Sequence, residues 1–91
     1  MTGLFEIIGQ RVRAEREKIG LSQGALAELV GVKREAISRL ERGQNATIAF
    51  LARVAHALQL ELGSLFAEVS LTKALIAELE DMSKPRGGRS S

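Results

Sequence analysis

The sequence predicts an all-α protein, and three observations lead to that prediction. Apolar residues recur at the three- and four-residue spacing of amphipathic helices along most of the 91 residues. Glycines follow several of these segments, where a helix C-terminus favours them. The three aromatic residues are all phenylalanine, so the core must consist of Leu, Ile, Val and Ala, which suits helices. We therefore expect one small domain of packed helices.

Composition excludes several classes of function. The chain has no cysteine and a single histidine, His56, which we interpret as a surface residue rather than a metal ligand. No phosphate-binding glycine loop and no paired carboxylates are present, so we expect no enzyme, no cofactor and no metal. No segment is long and apolar enough to span a membrane, and the absence of cysteine suits a reducing compartment. A cytoplasmic protein with no membrane partner is predicted.

The stretch from Leu21 to Gly43 organises the chain. Ser22 can cap a helix over Gln23 to Val30, and Gly31 follows it where the chain must turn. A second helix begins near Lys33 and carries four cations among its ten residues. The predicted inward residues of the two helices are Leu26, Ala27, Leu29, Val30, Ala36, Ile37 and Leu40. Two short helices joined at a glycine, with a small residue one turn before it, are typical of a helix-turn-helix.

Five short motifs in this stretch make the interpretation specific. They are Leu21-Ser22-Gln23, Leu26-Ala27, Gly31-Val32, Ile37-Ser38 and Glu41-Arg42-Gly43. In this order they resemble the pattern of the phage-repressor and Cro-like (Xre-type) helix-turn-helix family. The resemblance covers roughly two-thirds of the chain. It implies a five-helix, lambda-repressor-like DNA-binding domain, and the small size resembles restriction-modification controllers and small repressors.

The flanking segments complete that fold. A first helix is predicted from Leu4 to about Ile19, with a stripe of Phe5, Ile8, Val12 and Ile19. Thr47 is expected to cap a fourth helix that runs to about Leu58, with an apolar set of Ile48, Phe50, Leu51, Val54, Ala55 and Leu58. A short fifth helix over 61–66 would close the core. We predict a domain over residues 4–67, a helical extension over 68–83 and a disordered basic tail over 84–91.

Arg16 is predicted to pair with Glu41. Arg16 lies near the core side of the first helix, where a lone charge would be costly. The resemblance implies a mostly buried ion pair that ties this helix to the end of the third helix. The alternative is that both side chains are exposed and do not interact.

The third helix is the expected DNA-reading element. A helix fits the major groove, and an arginine fork can donate two hydrogen bonds to the O6 and N7 of guanine. The resemblance assigns base contacts to Arg34, Glu35 and Arg39, with Lys33 and Ser38 in second rank. Glu35 can accept a bond from the N4 of cytosine, or it can orient Arg39 four residues on.

A second set of residues is expected to bind phosphates and to position the helix. Gln23 matches the family's phosphate-binding glutamine, and it begins a helix whose N–H groups favour an anion. The full set is Ser22, Gln23, Arg42, Gln44, Asn45 and Thr47. The alternative for Arg42 is a simple C-terminal cation favoured by the helix dipole.

The C-terminal region has a different character. Residues 1–60 carry nine cations and six anions, whereas residues 61–82 carry one cation and five anions. An apolar stripe of Leu71, Leu75, Ile76, Leu79 and Met82 follows Ser70. This stripe either folds back on its own domain or meets a second chain, and we expect dimerisation through Leu71, Leu75, Ile76 and Leu79.

Two functions follow. The first is a homodimeric transcription regulator that binds a palindromic operator in double-stranded DNA and regulates its own promoter. The second is an antitoxin that binds DNA but mainly neutralises a protein partner through residues 61–82 or the tail. A toxin-like reading frame beside the gene would favour the second.

Overall fold

The computed structural model describes residues 3–66 together with residues 76, 77, 79 and 80. Helices alone make up the regular structure of this part of the chain. They are α1 (Leu4–Lys18), α2 (Gln23–Val30), α3 (Arg34–Glu41), α4 (Ile48–Ala57) and a 3₁₀ helix, Leu62–Phe66. The all-α prediction is therefore confirmed for the described residues.

Each of the four α-helices and the 3₁₀ helix contributes to one apolar core. The buried members are Leu4, Ile8, Val12, Leu26, Ala27, Val30, Ile37, Leu40, Leu51, Val54, Ala55, Leu58 and Leu65. Helices α1, α2 and α4 each pack against at least one other element, and α3 lies against both α1 and α2. The core thus holds one side of α3 and leaves its other side to solvent.

Three residues predicted to be inward are exposed. Ile19, Leu29 and Ile48 have 52%, 61% and 62% of their surface accessible. Ile19 follows the last residue of α1, and Leu29 is the last residue but one of α2. Ile48 begins α4 at the edge of an apolar groove that Leu4, Phe66 and neighbouring residues line. A helical stripe therefore overestimates burial at helix ends.

The prediction of five helices is correct only in part. Four of the elements in the described residues are α-helices, and the fifth, Leu62–Phe66, is a 3₁₀ helix. Its first turn is closed by a bond from the Ser64 N–H to the Glu61 carbonyl, 2.9 Å long. A five-residue segment that contains a glycine is too short to favour the α-helical bonding pattern, so the tighter turn is adopted.

The crossing of α1 and α3 depends on Gly9. A Cβ atom at this buried position would lie 2.4 Å from the Leu40 carbonyl oxygen and 2.9 Å from that of Glu41. Both neighbours are backbone atoms, which cannot move as a flexible side chain can. The missing side chain therefore sets how closely the C-terminal part of α3 approaches α1.

The predicted extension and tail are mostly outside the described residues. Residues 76, 77, 79 and 80 are helical and exposed. Leu71, Leu75 and residues 84–91 are among the positions that the structure does not describe. Across the described helices, none has the length and apolar character that crossing a membrane requires.

Candidate nucleic-acid interface

The turn between α2 and α3 is fixed by local signals in the sequence. The Ser22 hydroxyl oxygen accepts a hydrogen bond of 3.0 Å from the Ala25 N–H, which caps α2. Gly31 ends α2 with a φ of +84°, a conformation that favours glycine. The Ala27 carbonyl accepts bonds from the N–H groups of both Gly31 and Val32. These bonds turn the chain sharply and start α3 at Arg34.

A buried network holds the C-terminal end of α3 against α1. Arg16 Nε donates to Glu41 Oε2 at 2.6 Å, and Arg16 Nη2 donates to Glu41 Oε1 at 3.0 Å. The two side chains are 9% and 4% exposed. Arg16 Nη1 also donates to the Leu21 carbonyl, which precedes α2. One guanidinium group therefore links α1, the start of α2 and the end of α3.

The electrostatics of this network favour the charged pair. The hydrogen bond to Glu41 raises the pKa of Arg16 above its ordinary value, although burial acts in the opposite direction. An arginine guanidinium group stays protonated in proteins, and both carboxylate oxygens of Glu41 have donors. Arg16 and Glu41 thus form the predicted ion pair, which is bidentate, and the alternative of two exposed side chains that do not interact is wrong.

Gln23 joins the same network. Its Nε2 donates to Glu41 Oε1 at 3.0 Å, so one of its two amide hydrogens is directed inward. The sequence assigned Gln23 only to a phosphate. In the structure its amide positions the first residue of α2 beside the last residue of α3, and its second hydrogen has no acceptor among the described residues.

The outer side of α3 carries the predicted base-reading residues. Lys33, Arg34, Glu35 and Arg39 are all exposed. Within the described part of the chain, none of these four side chains forms a hydrogen bond or an ion pair. The pairing of Glu35 with Arg39, one alternative for that carboxylate, is thus not formed here. Two free guanidinium groups and one free carboxylate lie on one helix.

Ser38 and Arg42 are engaged with each other. Arg42 Nη1 donates to Ser38 Oγ at 2.7 Å, across one turn at the end of α3. Arg42 is exposed, whereas Ser38 is half-buried. The remaining nitrogens of Arg42 stay available as donors, while Ser38 has to share its oxygen. This arrangement favours Arg42 over Ser38 for contact with another molecule.

Three of the six predicted phosphate-binding residues lie at the C-terminal end of α3, namely Gln23, Arg42 and Gln44. Gln23 reaches that end through Glu41, and the Gln44 N–H donates to the Arg39 carbonyl at 3.1 Å. Gln44 and Asn45 are exposed. The Thr47 hydroxyl oxygen accepts from the Phe50 N–H and so caps α4, as Ser22 caps α2. Both hydroxyl groups keep their hydrogen for donation.

This arrangement of helices matches a known protein family. The model of the helix-turn-helix family designated HTH_3 matches residues 12–65, which include α2, the turn at Gly31, α3 and α4. This match covers more than half of the chain. The chain belongs to the HTH_3 helix-turn-helix family. The resemblance to phage-repressor and Cro-like proteins is thereby confirmed.

Known proteins of this kind include repressors and regulators. The chain is 44% identical over 39 residues to repressor protein C2 of Salmonella phage P22, a match that covers 43% of this chain and 18% of the repressor. The chain spans 15% to 18% of the length of the first curated relatives that it matches. These likenesses therefore concern segments of 38 to 45 residues and not the whole length of those proteins.

Solved structures of helix-turn-helix proteins cover more of the chain. The restriction-modification controller protein C.AhdI from Aeromonas hydrophila is 38% identical, with a TM-score of 0.66 over 68% of this chain and 91% of the controller. The biofilm regulator SinR, solved in complex with DNA, is 36% identical, with a TM-score of 0.61 over 65% of this chain and 97% of SinR. The fold of the helix-turn-helix unit is shared with both.

One side chain that stabilises this helix-turn-helix could not be predicted from the sequence pattern. Arg53 on α4 donates to the Val30 carbonyl at the end of α2, and a Cβ on Gly31 would lie 3.3 Å from its Nη2. The carbonyls of a helix C-terminus need donors, but the sequence does not say which distant side chain supplies one. His56, on the same helix, is exposed, in line with the surface interpretation. Among the described residues, no cluster of three or more His, Cys, Asp or Glu could hold a metal.

Proposed function

We propose that the protein is a transcription regulator that binds double-stranded DNA sequence-specifically, as a homodimer on a palindromic operator upstream of its own gene. The observation that carries this proposal is the exposed outer side of α3, where Arg34, Glu35 and Arg39 have no partner in the described part of the protein. Free, planar donors on a rigidly held helix suit the edges of bases in the major groove. A family of repressors and regulators, one of them solved with DNA, supports it.

In this proposal the residues divide into readers and positioners. Arg34 and Arg39 donate to the O6 and N7 of guanine, and Glu35 accepts from the N4 of cytosine. Lys33 and Ser38 are secondary readers. The backbone phosphates are bound by residues at the start of α2, at the end of α3 and in the loop before α4, namely Ser22, Gln23, Arg42, Gln44, Asn45 and Thr47. The buried pair of Arg16 and Glu41 keeps both sets in register.

Replacing Arg39 by alanine is expected to weaken operator binding by about 1–3 kcal/mol and to relax the preference at one base pair of each half-site. The reason is that a bidentate contact to guanine discriminates, whereas a phosphate contact does not. The preference is measured by selecting sites from random duplexes with the wild type and with Arg39→Ala. Affinities for the selected sites are then compared by gel shift.

The matched control is Arg13→Ala, which removes an exposed cation that pairs with Glu17 on α1. It should leave both affinity and preference unchanged. If Arg39→Ala weakened binding equally for every sequence, Arg39 would be a phosphate contact and its assignment as a reader would be wrong. If the wild type selected no sequence at all, the proposed function itself would fail.

Dimerisation is proposed through the C-terminal stripe. Of its members, Ile76 and Leu79 are described, and 49% and 62% of their surface is exposed. Neither is covered by its own domain to the extent of a core residue, which supports contact with a second chain over folding back. Two recognition helices about 34–36 Å apart would then read successive turns of one face of the DNA.

Replacing Leu79 by glutamate should convert the dimer to a monomer, because a carboxylate would have to be buried without a partner. Mass is measured by analytical ultracentrifugation, and the footprint on DNA should shorten to one half-site. The control Ala77→Glu places the same charge at an exposed position outside the stripe. A wild type that sediments as a monomer at every concentration would contradict the proposed dimer.

Footprinting on the DNA upstream of the gene tests autoregulation directly. A protected palindrome overlapping the promoter is the expected result, and protection confined to other loci would contradict it. The proposal places the protein in the cytoplasm, with its DNA. The antitoxin alternative stays a prediction, because no observation on the described residues supports it.

A further inference from the structure

An apolar groove lies where the N-terminal part of α1, the start of α4 and the 3₁₀ helix meet. Its volume is about 500 Å³, and none of the described residues that line it has a polar side chain. Its floor is buried and consists of Leu4, Ile8 and Leu51. Its edge is open, since 62% of the surface of Ile48 is accessible. Contiguous open apolar surface of this kind marks an interaction site.

The chain leaves this groove at Phe66 and continues to an apolar pair that is also open. Phe66 is the last residue of the 3₁₀ helix and a wall of the groove. The pair consists of Ile76 and Leu79, which are helical and lie three positions apart, so they share one side of a helix. Their surfaces are 49% and 62% exposed. One copy of the chain therefore presents two apolar surfaces, and the described residues of that copy cover neither.

The sequence between the groove and the pair does not favour a return to the same copy. To enter a groove that Phe66 itself lines, Ile76 would have to come back to Phe66, so the chain would have to reverse within ten residues. Glycine and proline are the strongest signals for such a reversal, and neither occurs from residue 67 to residue 83. A helical connection of ten residues would span about 15 Å, which would carry the pair away from its own groove.

We propose that Ile76 and Leu79 of one copy occupy the groove of a second copy, which places its own pair in the groove of the first. This inference rests on the proposed homodimer and names the surface that receives its C-terminal stripe. Exchange of one segment between two copies gives a closed dimer, because the two contacts are identical and neither is left for a third copy. Exchange also removes more apolar surface from water than pairing of the two stripes, which would leave both grooves open.

Cysteine substitutions distinguish the possible occupants of the groove, because the chain has no cysteine of its own. Ile48→Cys and Leu79→Cys are prepared separately, and cysteine is a small apolar residue that suits both surfaces. A short bismaleimide then joins any two thiols that lie close together. Exchange predicts that neither variant is joined on its own, whereas a mixture of the two gives a linked dimer on a denaturing gel. Ala77→Cys is exposed outside the stripe and is the matched control, which should be joined to Ile48→Cys far less.

The double variant with Ile48→Cys and Leu79→Cys separates exchange from folding back. Exchange brings the thiols of different chains together, so the bismaleimide should produce a linked dimer. Folding back would bring the two thiols of one chain together and would give a linked monomer without a free thiol. Gel mobility and thiol titration measure the two products.

A change at the edge of the groove should weaken the dimer and leave the single copy folded. Ile48→Gln replaces a side chain that is 62% exposed in one copy, so the core is not disturbed. Each exchanged dimer covers two such side chains, so the dissociation constant of the dimer should rise by about tenfold or more. Analytical ultracentrifugation measures that constant. Ala14→Gln, at an exposed position of α1 outside the groove, should leave it unchanged.

Each alternative occupant gives a result that overturns the inference. Linking of Leu79→Cys on its own would show that two stripes pair, and linking of Ile48→Cys on its own would show that two grooves pair. Both results would leave the homodimer intact. A linked monomer from the double variant would show folding back, and a dimer unaffected by Ile48→Gln would show that the groove is not part of it. A wild type that is monomeric at every concentration would instead remove the homodimer on which the inference depends.

Discussion

Replacing Glu41 by alanine is expected to lower the free energy of unfolding by about 3–5 kcal/mol, the usual cost of removing one partner of a buried pair. The substitution would leave Arg16, whose side chain is 9% exposed, without the carboxylate that receives two of its hydrogen bonds. The Gln23 amide would lose its acceptor at the same time. Chemical denaturation followed by circular dichroism measures the change.

Two control variants distinguish the effect of leaving a buried charge without its partner from the effect of removing a charge as such. Arg13→Ala breaks an ion pair with Glu17 in which both side chains are more than half exposed, so stability should hardly change. The double variant Arg16→Met and Glu41→Leu replaces both charges by apolar groups and should recover much of the loss. Recovery should be incomplete, because the Leu21 carbonyl and the Gln23 amide lose partners as well. A Glu41→Ala variant as stable as Arg13→Ala would show that the network contributes little.

The parts of the fold that the sequence predicts well are those with a local cause. Ser22 and Thr47 cap their helices as predicted, because a hydroxyl side chain acts within three residues of itself. Gly31 adopts a positive φ for the same reason, since the end of α2 needs a residue without a Cβ there. Helix caps and sharp turns depend on residues that are close in the sequence, so the sequence alone predicts them.

The parts that it predicts poorly depend on how helices cross. Helical spacing gives no reason to single out Gly9, whose importance comes from α3: the Leu40 carbonyl oxygen would lie 2.4 Å from a Cβ at that position. The bond from Arg53 to the Val30 carbonyl joins residues 23 positions apart and has no periodic signature. Leu29 and Ile48 were assigned to the core from helical spacing, but burial also depends on which partner covers each turn.

The candidate site likewise contains some features with a local cause in the sequence and others that depend on how the helices pack. The exposed state of Arg34, Glu35 and Arg39 follows from helical periodicity, because the opposite side of α3 carries Ile37 and Leu40. The second role of Gln23 does not follow, since it needs the end of α3 to lie beside the start of α2. The exposed side of α3 was therefore easier to predict from the sequence than the groups that hold the helix in place.

Operator binding is expected to be steeply dependent on salt. Arg42 is the one cation in the proposed phosphate-binding set, and in the two subunits of the homodimer it alone would give a slope of about −2, because each neutralised phosphate contributes about −0.9 as counterions are released. Lys33, Arg34 and Arg39 are also exposed and would lie within the same counterion atmosphere, so they should make the slope steeper. Fluorescence anisotropy over a salt series should therefore give a slope of log affinity against log salt well beyond −2.

The dependence of affinity on salt distinguishes the two assignments of Arg42, which are a phosphate contact and a cation that complements the helix dipole. If Arg42 binds a phosphate, Arg42→Gln should reduce the slope by about one for each subunit. Its bond to Ser38 uses only Nη1, so the rest of the guanidinium group can reach the DNA without breaking the helix end. If Arg42 only complements the helix dipole, the variant should lose some stability and keep the slope. Arg13→Gln removes the same charge from α1 and should leave the slope unchanged, so a change shared by both variants would reflect net charge rather than contact.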